Sequence, residues 1–264
     1  MEAPSDPNWP AVKQGAGHPV VFLHGYPLDH TIWDPQLHRP LPGHRYVALD
    51  LPGYGLAADS SVPETLSGFA ESVNQTLGRR IREPVTVVGH SFGGYIALEM
   101  FRAHPERFAA LVLTNTRSDP DTPEAKEKRL RLVRSLEDPA QGLDIEATAR
   151  ALLSPATWEA AGPVARHVLN VVRRAKTPAL LGALKAIASR PDLTPLLATI
   201  SVPVLVIWGE EDQLIPPAQS QKMMAHLRGA QHMGIPGAGH LPCLEAPSAF
   251  GKALERFLRS RISP

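Results

Sequence analysis

One cysteine, Cys243, stands in a chain of 264 residues. It leaves no partner for an intrachain disulfide and rules out a cysteine-rich metal site, and a reducing compartment is compatible with it. An excess of charge is missing too: 27 Lys and Arg against 26 Asp and Glu give a formal +1. Nothing in that balance points to nucleic acid or an anionic membrane as partner. Nowhere do about 18 apolar residues run together, as a membrane span needs. The opening MEAPSDPNWPAVKQGAGHP has neither the basic start nor the apolar segment of a secretory leader, so a cytoplasmic location is expected. Internal repeats and low-complexity tracts are absent.

What the sequence does contain is an alternation of short apolar runs and helical patterns. PVVFLHG (19–25) and RYVALDLPG (45–53) have strand length and end in turn residues. TLSGFAESVNQTLGRRI follows as an amphipathic helix, then the strand VTVVGHS, a helix through FGGYIALEMFRAHPERF, and the strand AALVLTNT (109–116). Such alternation predicts a parallel sheet with helices on both faces. From 117 to 199 the texture changes to charged and alanine-rich helical stretches with no convincing strand. The sheet resumes at VPVLVIWGEED (202–212), followed by the helix PAQSQKMMAHLRG, a weaker strand in AQHMGIPGAG and a closing helix PSAFGKALERFLRS. Residues 1–116 and 200–264 thus read as one core domain, and 117–199 as an inserted helical cap.

The stretch VTVVGHSFGGYIALEM (85–100) sets Ser91 where a buried strand turns into a helix. A plain glycine turn would explain Gly89, Gly93 and Gly94 without requiring a serine. A phosphate cradle needs a different glycine spacing or a lysine that is not there. Gly89-His90-Ser91-Phe92-Gly93 does match the G-x-S-x-G nucleophile elbow, a sharp strand-to-helix turn that exposes a serine hydroxyl. The pattern alone arises by chance in about one chain in ten of this length, so the partners of the serine must decide.

A serine hydroxyl is a weak nucleophile at neutral pH and needs a base, usually a histidine that a carboxylate orients. In sheets that carry such an elbow the order is Ser, acid, His, each just past a strand end. GEEDQLIPP supplies Asp212, with Glu210 and Glu211 beside it. The glycine-rich PGAGHLPCLEAP supplies His240. For the oxyanion, two backbone N–H groups are expected: Phe92, after the nucleophile, and Tyr26, in the loop after the first central strand. His24 and His90 read as loop-fixing and packing residues, and Cys243 as a small buried side chain. Leu28, Ile215 and Leu241 flank catalytic positions and are expected to line an apolar acyl pocket, with Trp158 roofing it from the cap. Arg129, Arg131, Arg134, Arg166, Arg173 and Arg174 are expected mostly on a solvated helix face, with one of them greeting a substrate carboxylate as the alternative.

With these pieces in hand, HGYP, DLPGYG, GHSFGG, GEED and GAGHLPCLEAP in this order, the chain resembles the α/β-hydrolase superfamily over nearly its whole length. DHTIWDPQL, LVLTNTRSD and GHLPCLEAP are similar to the carboxylesterase and 3-oxoadipate enol-lactonase-like branch. The resemblance implies an α/β-hydrolase fold. Its start should be trimmed, with one short strand near Trp9 to Lys13 in place of a hairpin. It also admits Asp119, near the preceding strand end, as an alternative acid. The implied activity is hydrolysis of carboxylic esters of small to medium acyl chain, with no cofactor and no metal. Rivals are an enol-lactone-type lactonase, a cofactor-free perhydrolase or haloperoxidase, and a non-catalytic ligand receptor on the same fold. The expected partner is a small-molecule ester or lactone.

Overall fold

The computed structural model describes residues 11–138 and 140–262. Seven strands form the sheet: β1 (Ala11–Gly15), β2 (His18–Leu23), β3 (His44–Leu49), β4 (Val85–His90), β5 (Phe108–Thr114), β6 (Val204–Gly209) and β7 (Gln231–Ile235). Their spatial order is β1-β3-β2-β4-β5-β6-β7. Among the described residues only β1 runs antiparallel, against β3; every other pairing is parallel. The short first strand expected near Trp9 to Lys13 is met by β1 from Ala11 onward. Trp9 and Pro10 lie outside the described residues.

Strand residues alternate between two apolar layers because successive side chains leave opposite faces of the sheet. Val21, Leu23, Val85, Val87, Leu111, Leu113, Val204 and Val206 point into one layer. Val20, Phe22, Val88, Ala110, Val112, Leu205 and Ile207 point into the other. The first layer is closed by α2 (Leu66–Gly78), α3 (Phe92–Ala103) and α10 (Pro217–Met224); the second by α1 (Asp34–Leu37), α11 (Pro242–Glu245) and α12 (Pro247–Arg261). Local signals set the helix limits. Thr65 caps α2 by accepting the Gly68 N–H, and α3 stops just short of Pro105, as the residue before a proline disfavours helix.

Among the described residues six helices lie between β5 and β6: α4 (Pro123–Glu137), α5 (Ile145–Ala151), α6 (Pro155–Glu159), α7 (Pro163–Arg174), α8 (Thr177–Ala188) and α9 (Thr194–Leu197). The sequence reads as one helical stretch from 163 to 190. It breaks at Ala175–Lys176, since Pro178 has no N–H to continue a helix and fits a first turn instead. α4 and α8 pack through Val133, Leu136, Leu180 and Leu184. Among the described residues no helix is long and apolar enough to cross a membrane.

Strands β3 and β4 lie on opposite sides of β2, so the chain changes winding direction there. Loops leaving the carboxyl ends of β2 and β4 therefore diverge and open a crevice, where open α/β sheets bind ligands. The positions expected to do chemistry gather at this edge.

Candidate active site

Ser91 follows β4 directly and holds φ 51°, ψ −114°, a conformation rarely occupied by a residue with a side chain. The surroundings enforce it. The Ser91 N–H donates to Thr114 O at 3.0 Å, and Ser91 O accepts from the Gly94 N–H at 2.9 Å and Thr116 Oγ1 at 2.8 Å. A Cβ on Gly93 would stand 2.4 Å from Leu23 O, and one on Gly89 2.6 Å from Gly93 O. Only glycine lets helix and strand approach this closely. The elbow is built by sterics on both sides of the serine.

The loop after β2 lies against it: a Cβ on Gly25 would come within 3.0 Å of Ser91 Cβ. Tyr26 follows Gly25, and Phe92 is the first residue of α3, whose amide has no intrahelical carbonyl to bond. Among the described residues neither the Tyr26 nor the Phe92 N–H has a hydrogen-bond partner. His24 fixes this loop from inside. Its Nδ1–H donates to Gly25 O and its Nε2 accepts the Leu51 N–H, both at 3.0 Å, and burial holds its pKa below the ordinary value.

The loops after β6 and β7 are stitched together, Glu210 N–H to Ile235 O at 3.1 Å and Glu211 N–H to Ala238 O at 2.9 Å. That brings the buried side chains of Asp212 and His240 into contact, Nδ1–H to Oδ2 at 2.7 Å. Asp212 accepts at both oxygens: Oδ1 takes the Leu214 and Ile215 N–H groups at 2.9 and 3.0 Å, and Oδ2 also takes Asn115 Nδ2 at 2.7 Å. Burial pushes its carboxyl up, but the His240 ring and these hydrogen bonds outweigh burial and hold it below 3.8. Asp119, the alternative acid, spends its carboxylate on Arg117 and on Lys222, the latter at 3.0 Å.

His90 sits under this pair. Its Nε2–H donates to His240 O at 2.7 Å, and the two rings meet edge to face at 4.8 Å. Burial first and His240 second push its pKa down to about 3, so it stays neutral and serves as a backbone tether. Among the described residues no three His, Cys, Asp or Glu side chains group as metal ligands.

Comparison with known proteins matches residues 20–253 to the alpha/beta hydrolase family. The chain belongs to that family. Its curated relatives include a pimeloyl-[acyl-carrier protein] methyl ester esterase from Xanthomonas campestris pv. campestris, 30% identical over 254 residues, which cover 92% of this chain and 96% of the relative. Among solved structures, a thermophilic esterase from Thermogutta terrifontis, determined with malate bound, is 31% identical at a TM-score of 0.87, covering 95% of this chain and 92% of that one. The enol-lactonase from Burkholderia xenovorans LB400 shares the fold at a TM-score of 0.84 and 22% identity, over 94% of this chain and 95% of that one.

In this alpha/beta hydrolase the expected pocket residues do not form one set. Leu28, Ile215 and Leu241 are buried in the core layers, Leu28 and Leu241 in one and Ile215 in the other. Trp158 instead lines a cleft of about 450 Å³ with Ile145, Leu169, Arg166 and Arg173. Each of the six arginines singled out in the helical stretch has a protein partner. Arg129 bonds Asp121, Arg131 and Arg134 pair with Glu127, Arg166 and Arg173 bond within their own neighbourhood, and Arg174 reaches Asp29. Cys243 is buried, and burial pushes its thiol pKa up. Sequence reasoning missed Asn115, which bonds both Asp212 Oδ2 and Gly239 O at φ 46°. An asparagine ending an apolar strand run is a signal for that left-handed position.

Proposed function

We propose that this alpha/beta hydrolase cleaves carboxylic esters, with Ser91 as nucleophile, His240 as base and Asp212 as the acid that orients it. The observation that carries the reading is the convergence at one sheet edge of a serine held at positive φ and a buried His240–Asp212 pair. The esterase relatives support it. His240 Nε2 takes the Ser91 proton as the hydroxyl oxygen bonds to the ester carbonyl carbon. The Tyr26 and Phe92 N–H groups hold the resulting oxyanion, and His240 returns the proton to the departing alcohol. Water then bonds to the acyl carbon and gives a proton to His240, which passes it to Ser91 Oγ as the bond to the serine breaks and the acid leaves.

In this reading 117–199 is a cap over the core formed by 1–116 and 200–264. The substrate carries a small or medium acyl chain, while Leu28, Ile215 and Leu241 stay in the two core layers and Trp158 belongs to the outer cleft. Hydrolysis of p-nitrophenyl acetate and butyrate by wild type and Ser91→Ala tests the reading. The wild type should turn over and the variant fall at least about 1000-fold; equal rates for the two proteins would overturn it.

A further inference from the structure

We infer that Glu245 is a positioning residue for His240 and joins the helical stretch 117–199 to the base. The inference rests on the proposed role of His240. Glu245 ends α11, five residues beyond that histidine, and its carboxylate turns back on the loop. Oε1 accepts the N–H groups of Gly239 and Leu241, the residues on either side of His240, at 3.0 and 3.1 Å. Oε2 accepts the Ser154 N–H at 2.8 Å, from the residue that caps α6. One carboxylate thus satisfies three backbone amides from two parts of the chain, and each bond is strengthened by the charge.

The backbones are in direct contact at the same point. A Cβ on Gly239 would stand 2.3 Å from Ser154 N and 2.6 Å from Leu153 C. Ser154 is buried. Because the His240 carbonyl is already tied to His90 Nε2, the loop is gripped by its carbonyl from β4 and by its flanking amides from Glu245. That grip sets the backbone from which the His240 ring directs its Nδ1–H to Asp212 Oδ2. Removing the Glu245 carboxylate would release both flanking amides and Ser154 together, and a misplacement near 1 Å can cost about 100-fold in rate.

Two variants separate the bonds at Oε1 from the bond at Oε2. Glu245→Ala loses all three. Glu245→Gln keeps an oxygen for the Gly239 and Leu241 amides but turns an NH2 toward Ser154, so it should recover part of the loss. With kcat counted per Ser91 titrated by a fluorophosphonate, Glu245→Ala should fall about tenfold or more while KM stays within about twofold, with Glu245→Gln between it and wild type. A purely structural role would lower the titrated fraction and leave kcat per site unchanged, and that result overturns the inference. So does a rise in KM at constant kcat. A second readout needs no turnover. The downfield NMR resonance of the His240 Nδ1 proton should move or broaden in Glu245→Ala, and an unchanged resonance overturns the inference even if the protein proves inactive on esters.

Discussion

The loops past β4, β5, β6 and β7 and the helical stretch between β5 and β6 are held by different means. In the loops, backbone bonds backbone: Ser91 N–H to Thr114 O, Asn115 N–H to Ile207 O, Glu211 N–H to Ala238 O. Gly93 and Gly239 leave no room for a side chain. In the helical stretch, apolar faces pack and charged pairs with exposed members join it to the core, such as Arg174 with Asp29, Lys176 with Asp59 and Lys185 with Glu64. Reacting groups need fixed placement, which backbone and sterics provide. A region held by side chains can change its lining without moving Ser91, Asp212 or His240.

The largest effect should come from breaking the buried pair. Asp212→Asn is expected to lower kcat by about 10⁴-fold, because the imidazole loses the carboxylate that fixes its tautomer; steady-state kinetics on p-nitrophenyl acetate measure it. The same variant has a pH signature. A carboxyl whose folded pKa lies below 3.8 adds stability that is present above that value and lost as pH falls through the folded pKa. In urea unfolding, Asp212→Asn should therefore lose less stability than wild type between about pH 5 and about pH 2.

Glycine replacement sharpens the contrast between regions. Gly93→Ala would press on Leu23 O at 2.4 Å and should cost about 1–3 kcal/mol or more. Gly142 and Gly162, in the helical stretch, have nothing within 4 Å of the position a Cβ would take, so alanine at either should shift stability by less than about 0.5 kcal/mol. Thermal or urea unfolding checks all three.

This contrast also explains what the sequence made legible. That Ser91, Asp212 and His240 stand at one sheet edge was legible because each follows an apolar strand run ended by turn residues, where local text reports local geometry. The parallel sheet was legible for the same reason, down to a short first strand. Asn115 and the break between α7 and α8 were less visible. Asn115 acts on Asp212 and Gly239, far along the chain, and the helical pattern continues across the break in every property except the position of Pro178. The lining of the pocket was hardest to read, since a side chain flanking a catalytic residue in sequence alternates faces. Leu28 and Ile215 therefore ended in different core layers.

A smaller effect is expected at Asn115. Its alanine variant frees an Asp212 oxygen and the Gly239 carbonyl and should cost about 1–2 kcal/mol, read by urea unfolding. Smallest is Arg174→Ala. The arginine is 57% exposed, so less than about 1 kcal/mol should be lost. The difference from wild type should vanish in about 1 M salt, which screens such pairs.

The most direct test of the account is rapid-quench mass spectrometry of the protein during turnover of p-nitrophenyl butyrate. The predicted result is a single butyryl group on the peptide carrying Ser91 in the wild type and none in Ser91→Ala. Turnover without that adduct, or with the acyl group on another residue, would contradict it.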